Sequence, residues 1–129
     1  MIKEIAAQGS ILALILDLSD MEVGTISPTN PGWSLQVLMR KLVAGHSVGK
    51  HTHKLIEKST KQLNEGLVVI KGAIQTEIFD AAGVSAGVYE VTEGQCLFFA
   101  EGGHSVEVLN DALIFEFKNG PYVDDKIAL

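Results

Sequence analysis

Residues 67–91 read LVVIKGAIQTEIFDAAGVSAGVYEV, and they indicate the fold class. Two runs rich in Val, Ile and Phe, at 67–79 and 84–91, flank the segment Asp80-Ala-Ala-Gly83, which is typical of a hairpin turn. Only Lys71-Gly72 interrupts the first run. We therefore predict a pair of antiparallel strands in the middle of the chain.

Similar short apolar runs recur on both sides of this hairpin, separated by Gly-containing turns such as Thr92-Glu-Gly94. They predict further strands at 11–18, 35–43, 95–99, 105–109 and 113–117. In the last of these, Leu113, Phe115 and Phe117 share one face. Residues 54–64 are ambiguous between a helical turn and a long loop. About eight to ten short strands predict an all-β sandwich or barrel.

The length of 129 residues predicts one domain, residues 1–129. Hydrophobic residues make up 47% of the chain, enough for a true core. The net charge is −6 and no stretch clusters Lys or Arg, so we expect no nucleic-acid partner.

The run 11–16 has only six apolar residues, far short of the roughly 20 that span a bilayer, so we expect no membrane partner. Lys3 is followed by Glu4, and Asp17 interrupts the apolar run, which does not match a signal peptide. The single cysteine, Cys96, permits no intramolecular disulfide. We therefore expect a cytoplasmic protein.

Three histidines suggest chemistry: His51 and His53 in GHSVGKHTH (45–53), and His104 in EGGHSV (101–106). On a strand, residues i and i+2 point to one face, so the first two imidazoles could converge there. With one more His and a carboxylate from other strands they could form an open metal site. The alternative is that His51 and His53 are polar residues of an exposed loop.

Two segments resemble the motifs of the cupin family. Gly45 followed by His51-Thr-His53 and by EGLVVIKG (65–72) is similar to the first motif, and GQCLFFAEGGH (94–104) is similar to the second. The closing segment KNGPY (118–122) resembles that of a subgroup of small single-domain cupins. The resemblance covers nearly the whole chain and implies a double-stranded β-helix, or jelly-roll barrel.

The resemblance also implies the metal ligands His51, His53, Glu65 and His104. Eleven residues separate His53 from Glu65, more than is usual in the family, and Glu57 stands nearer the usual distance. Glu65 is favoured because it leads directly into LVVIKG, and Glu57 remains the alternative.

Three further side chains are candidates for lining a cavity. Gln36 and Arg40 share a strand face and could bind a carboxylate or a sugar hydroxyl. Glu101 could act as an acid or base near His104, although it could equally be a surface carboxylate.

The ligand set implied by the resemblance would hold a divalent ion: Fe, Mn, Ni or Zn. Our first hypothesis is a metal-dependent cupin acting on a small polar metabolite, a sugar derivative or a carboxylate, by isomerase- or dioxygenase-like chemistry. The alternative is a non-catalytic cupin module that binds a small molecule or a metal. Because exposed sheet edges of small barrels are often covered by a second copy, we also predict a homodimer.

Overall fold

The computed structural model describes residues 1–129 and contains eight strands and no helix. The all-β prediction is confirmed. The strands are β1 (Ile2–Ala7), β2 (Ser10–Asp17), β3 (Gly24–Ile26), β4 (Met39–Lys41), β5 (Glu65–Phe79), β6 (Ser85–Thr92), β7 (Gln95–Phe99) and β8 (Gly103–Lys118). Because there is no helix, there is no helical membrane span.

Six strands form one antiparallel sheet that curls into a half-barrel. Five of them follow the order β1-β2-β7-β5-β6, and the sixth, β8, pairs with β5. On one edge, β5 pairs first with β7 and then with β6; on its other edge it pairs with β8 along its whole length. Strands β3 and β4 form a separate two-stranded sheet. The predicted turn at Asp80–Gly83 is confirmed, because Gly83 N donates to Asp80 O at 3.0 Å.

The Lys71-Gly72 interruption is a bulge within β5 rather than the end of a strand. The register against β8 shifts three times between Val69 and Ile74. Gly72 has φ of +85°, and a Cβ there would lie 2.3 Å from the carbonyl oxygen of Asp111. Glycine is therefore required where the two strands bend. The predicted strands 105–109 and 113–117 are likewise one continuous strand, β8.

Two apolar clusters cover the two faces of the sheet. Leu67, Val69 and Leu97 belong to the cluster inside the curl, which also includes Ile74 and Val91 from beyond the bend. Alternation sends the neighbouring side chains to the opposite face. There, Leu14, Leu16 and Phe98 pack with Met21 and Met39 from the segment that follows β2.

The structure shortens one predicted strand, decides one ambiguous segment and adds an edge strand. The strand predicted at 35–43 is reduced to β4, because Leu35 and Val37 pack onto the second cluster from an irregular segment. Residues 54–64 contain neither a helix nor a strand, so their loop interpretation is confirmed. The edge strand β1 was not predicted, since Lys3 and Glu4 break its apolar pattern.

Candidate functional site

The long β5–β8 ribbon brings Glu65 and His104 together. In the ladder, Glu65 lies opposite Lys118 at one end and Ile78 lies opposite His104 at the other. Thirteen extended residues would separate these ends by about 40 Å. Yet Glu65 Oε2 lies 3.6 Å from His104 Nε2. The bend at Gly72 therefore folds the ribbon back on itself and closes the mouth of the half-barrel.

The imidazole of His104 stacks on an aromatic ring as well as lying against Glu65. Its ring lies 3.5 Å from the ring of Phe99, centroid to centroid, with 8° between the planes. Phe99 lies opposite Glu65 at the end of β7, so all three side chains meet at one point of the sheet. The side chain of Glu65 is 13% exposed and that of His104 is 30% exposed.

Two charged side chains from the end of β8 complete this cluster. Lys118 Nζ lies 3.9 Å from Glu65 Oε1 and 3.6 Å from Glu116 Oε1. Neither residue was identified from the sequence. The alternation that places Leu113, Phe115 and Phe117 on one face also places Glu116 and Lys118 on the other, and that signal was available.

Burial shifts both partners of the Glu65–His104 pair toward their neutral forms. It raises the pKa of Glu65, an effect that Lys118 opposes and Glu116 reinforces. Burial also lowers the pKa of His104, with Glu116 acting in the opposite direction. A neutral imidazole is the form that accepts a proton or ligates a metal.

His51 and His53 lie in the exposed segment 42–62, not on a strand as the motif geometry would require. Their ring centroids are nevertheless 5.1 Å apart. His51 Nδ1 lies 2.8 Å from the carbonyl oxygen of Gly49. If Nδ1 carries the proton and donates to that carbonyl, Nε2 keeps its lone pair.

The four ligands implied by the sequence therefore form two separate pairs in the structure. Glu65 and His104 meet at the mouth of the half-barrel, and His51 and His53 meet in the loop. No group of three or more His, Cys, Asp or Glu side chains is arranged to hold a metal ion. The alternative carboxylate, Glu57, lies in the exposed loop.

The proposed cavity-lining residues lie elsewhere on the surface. Gln36 uses its amide within its own loop, donating to Asn30 O at 2.8 Å and to Trp33 O at 2.9 Å. Arg40 Nε donates to Thr25 Oγ1 at 3.2 Å across the β3–β4 pair. Glu101 is exposed in the turn before β8. A surface recess of about 510 Å³ lies beside residues 20–26 and includes none of these three side chains.

Comparisons with protein-family models, with curated proteins and with solved structures found no match to this chain. Inference about function therefore depends on the residues of the chain itself.

Proposed function

We propose that this chain is a single-domain cupin that binds a divalent metal and acts on a small polar metabolite. The observation that carries the proposal is the meeting of Glu65 and His104. They come from the two segments that resemble the cupin motifs and are far apart in sequence, yet their side chains lie 3.6 Å apart. A pattern match alone would not require this contact.

The chemistry of the donor set fits such an ion. Three imidazoles and one carboxylate suit Fe, Mn, Ni or Zn. The proposal requires the segment 42–64 to carry His51 and His53 up to Glu65 and His104. A bound ion with open positions would polarise a substrate oxygen or bind O2.

The chain's own residues would prepare the site in two ways. Stacking on Phe99 fixes the plane of the His104 ring, and burial lowers the pKa of this imidazole, which favours the neutral form that ligates a metal. Lys118 Nζ lies within ion-pair distance of Glu65 Oε1. The ammonium group must therefore move away before the carboxylate can bind a metal ion. Once released, the ammonium could bind the carboxylate of a substrate.

Metal content of the purified protein tests the proposal. We expect about one equivalent of Fe, Mn, Ni or Zn per chain, and at least a tenfold loss of affinity in H51A, H53A, H104A and E65Q. H46A is the matched control for the loop histidines, and E57Q for the carboxylate. Both should retain the ion, because neither residue belongs to the proposed set.

Two results would contradict parts of this proposal. Metal far below stoichiometry, not restored by adding each ion, would favour the non-catalytic small-molecule module instead. Equal metal retention in E65Q and E57Q would exclude Glu65 as the carboxylate ligand. We further propose a second copy of the chain as a partner.

A further inference from the structure

Strand β8 exposes an apolar stripe where a barrel strand should be covered. Leu113, Phe115 and Phe117 are 61%, 62% and 55% exposed, respectively. They lie on the face opposite Glu116 and Lys118, and the two phenylalanine rings are 6.3 Å apart. We name these three side chains, which the sequence predicted to share one face, the β8 stripe.

The β8 stripe continues the second core cluster instead of standing alone. In the ladder, Phe117 lies opposite Gly66, and Phe98 of that cluster lies opposite Gly66 from the other side. Glycine contributes no side chain between the two rings. The segment that follows β2 covers Phe98, which is fully buried, but leaves Phe117 exposed. The apolar surface of the second cluster therefore continues onto β8, where no other part of the chain covers it.

One edge of β8 has no neighbouring strand. This 16-residue strand pairs with β5 alone, so its outer edge offers free N–H and C=O groups. The edge strand β1 is different, because it has only six residues and carries Lys3 and Glu4, which discourage further pairing. A long apolar edge such as β8 is one that natural proteins cover.

We propose that a second copy of the chain covers β8, pairing antiparallel with it around a twofold axis. A twofold axis perpendicular to the sheet keeps the same face of both strands on the same side. If the axis passes Phe115, Leu113 of each copy lies beside Phe117 of the partner subunit. This register matches the whole β8 stripe with itself.

A stripe that matches itself and carries no charge favours this occupant. With about 100 Å² exposed for each of its three side chains, the β8 stripe offers on the order of 300 Å² of apolar surface. It would form the apolar centre of an interface to which one partner usually contributes roughly 800 Å². The β8 stripe is also uncharged, which suits contact between two chains of net charge −6.

The inference extends the proposed second copy and does not depend on the metal. Glu116 and Lys118 lie on the opposite face of the strand segment that carries the β8 stripe. The second copy would thus lie along the strand that carries Glu116 and Lys118, next to the Glu65–His104 cluster.

Molar mass by light scattering at micromolar concentration tests the inference. We expect twice the 13.8 kDa chain mass for the unaltered protein and the single-chain mass for F115D/F117D. Both side chains are exposed, so this variant should keep its β-sheet circular dichroism. L55D, which places the same charge on the exposed loop, is the matched control and should stay dimeric.

A second variant decides the matter if F115D/F117D does not fold. In a C96S background, F115C should form a disulfide between copies, because directly opposed strand residues lie about 4.5–5.5 Å apart, within disulfide range. L55C should not. The inference would be overturned by a single-chain mass for the unaltered protein or by a dimer that survives F115D/F117D. If F115D/F117D does not fold, the absence of a cross-link in F115C would overturn it. Metal content is read separately, so failure of the proposed function remains distinguishable.

Discussion

His104 and His53 differ in what holds them. His104 is stacked on Phe99 and lies against Glu65, at the point where a bent strand pair closes on itself. His53 lies in a segment without regular structure, and its nearest aromatic neighbour is His51, two residues away. The half-barrel therefore holds Glu65 and His104 in place, whereas the loop keeps His51 and His53 close to each other only because they are close in sequence.

The largest expected effect on stability comes from a substitution at Gly72, where β5 and β8 bend. G72A should lower the free energy of unfolding by about 3 kcal/mol, because a Cβ would meet the carbonyl oxygen of Asp111 and because φ is +85°. The Glu65–His104 contact should weaken with it. Denaturant unfolding measures the first effect, and nuclear magnetic resonance of the His104 ring measures the second.

Two loop glycines separate the causes of that loss. Gly45 has φ of +90° but open space around it, so G45A carries backbone strain without a clash. Gly49 has neither feature, so G49A should change stability by less than about 0.5 kcal/mol. If G72A were no more harmful than G45A, the close approach to Asp111 would not be what fixes the bend.

The second effect concerns Asn64, the residue at which the loop joins the sheet. Its side chain is fully buried, accepts a hydrogen bond from Ser34 N at 3.0 Å and donates one to Ala100 O at 2.9 Å. N64L should cost about 2–3 kcal/mol, because it leaves both of these backbone groups without their partner. Q62A, two residues earlier and exposed, is the control, and thermal unfolding is the measurement. An equal loss in both variants would mean that Asn64 does not anchor the loop.

A smaller effect is the pH dependence carried by His104. In the folded chain, burial lowers the pKa of His104 below its ordinary value of 6.5. As the pH falls, the unfolded chain therefore takes up the proton first. Stability from this group is therefore full above pH 6.5 and is lost as pH falls through the lower, folded value. Glu65, whose pKa is raised, contributes in the opposite direction.

The variant H104N isolates this contribution because Glu65 is retained. Urea unfolding in the presence of a chelator, repeated from above pH 6.5 downward, should show a flatter pH profile for H104N than for the unaltered protein. H53N is the control and should leave the profile unchanged. A profile for H104N that still falls as steeply would assign the pH dependence to another group.

The sequence predicted the local parts of this arrangement and missed the parts that depend on closure. The hairpin at 67–91 was predictable because a turn and two apolar runs are contiguous. The meeting of Glu65 with His104 was implied only by a family resemblance, since it depends on three register shifts between Val69 and Ile74. No periodicity in the chain encodes those shifts.

The apolar pattern of the sequence did not show which part of the chain covers each face of the sheet. Alternation correctly predicted that Phe115 and Phe117 share one face of β8. It did not show that this face is exposed. Conversely, Leu35 and Val37 are apolar because they pack on the second cluster, and they were predicted as a strand. A single sequence shows which side chains are apolar, but the layer they join depends on the tertiary fold.

The smallest expected effect returns to the loop. Leu55 and Ile56 are exposed, with Leu55 as accessible as in an extended chain, so L55S and I56S should each change the free energy of unfolding by less than about 0.5 kcal/mol. L97S, in a fully buried position, should cost several times more, about 2–5 kcal/mol. Urea unfolding of the three variants measures both. A loss above about 1 kcal/mol in L55S would mean that the loop packs against the barrel in solution. His51 and His53 would then be held as firmly as His104, and the contrast between the two pairs would disappear.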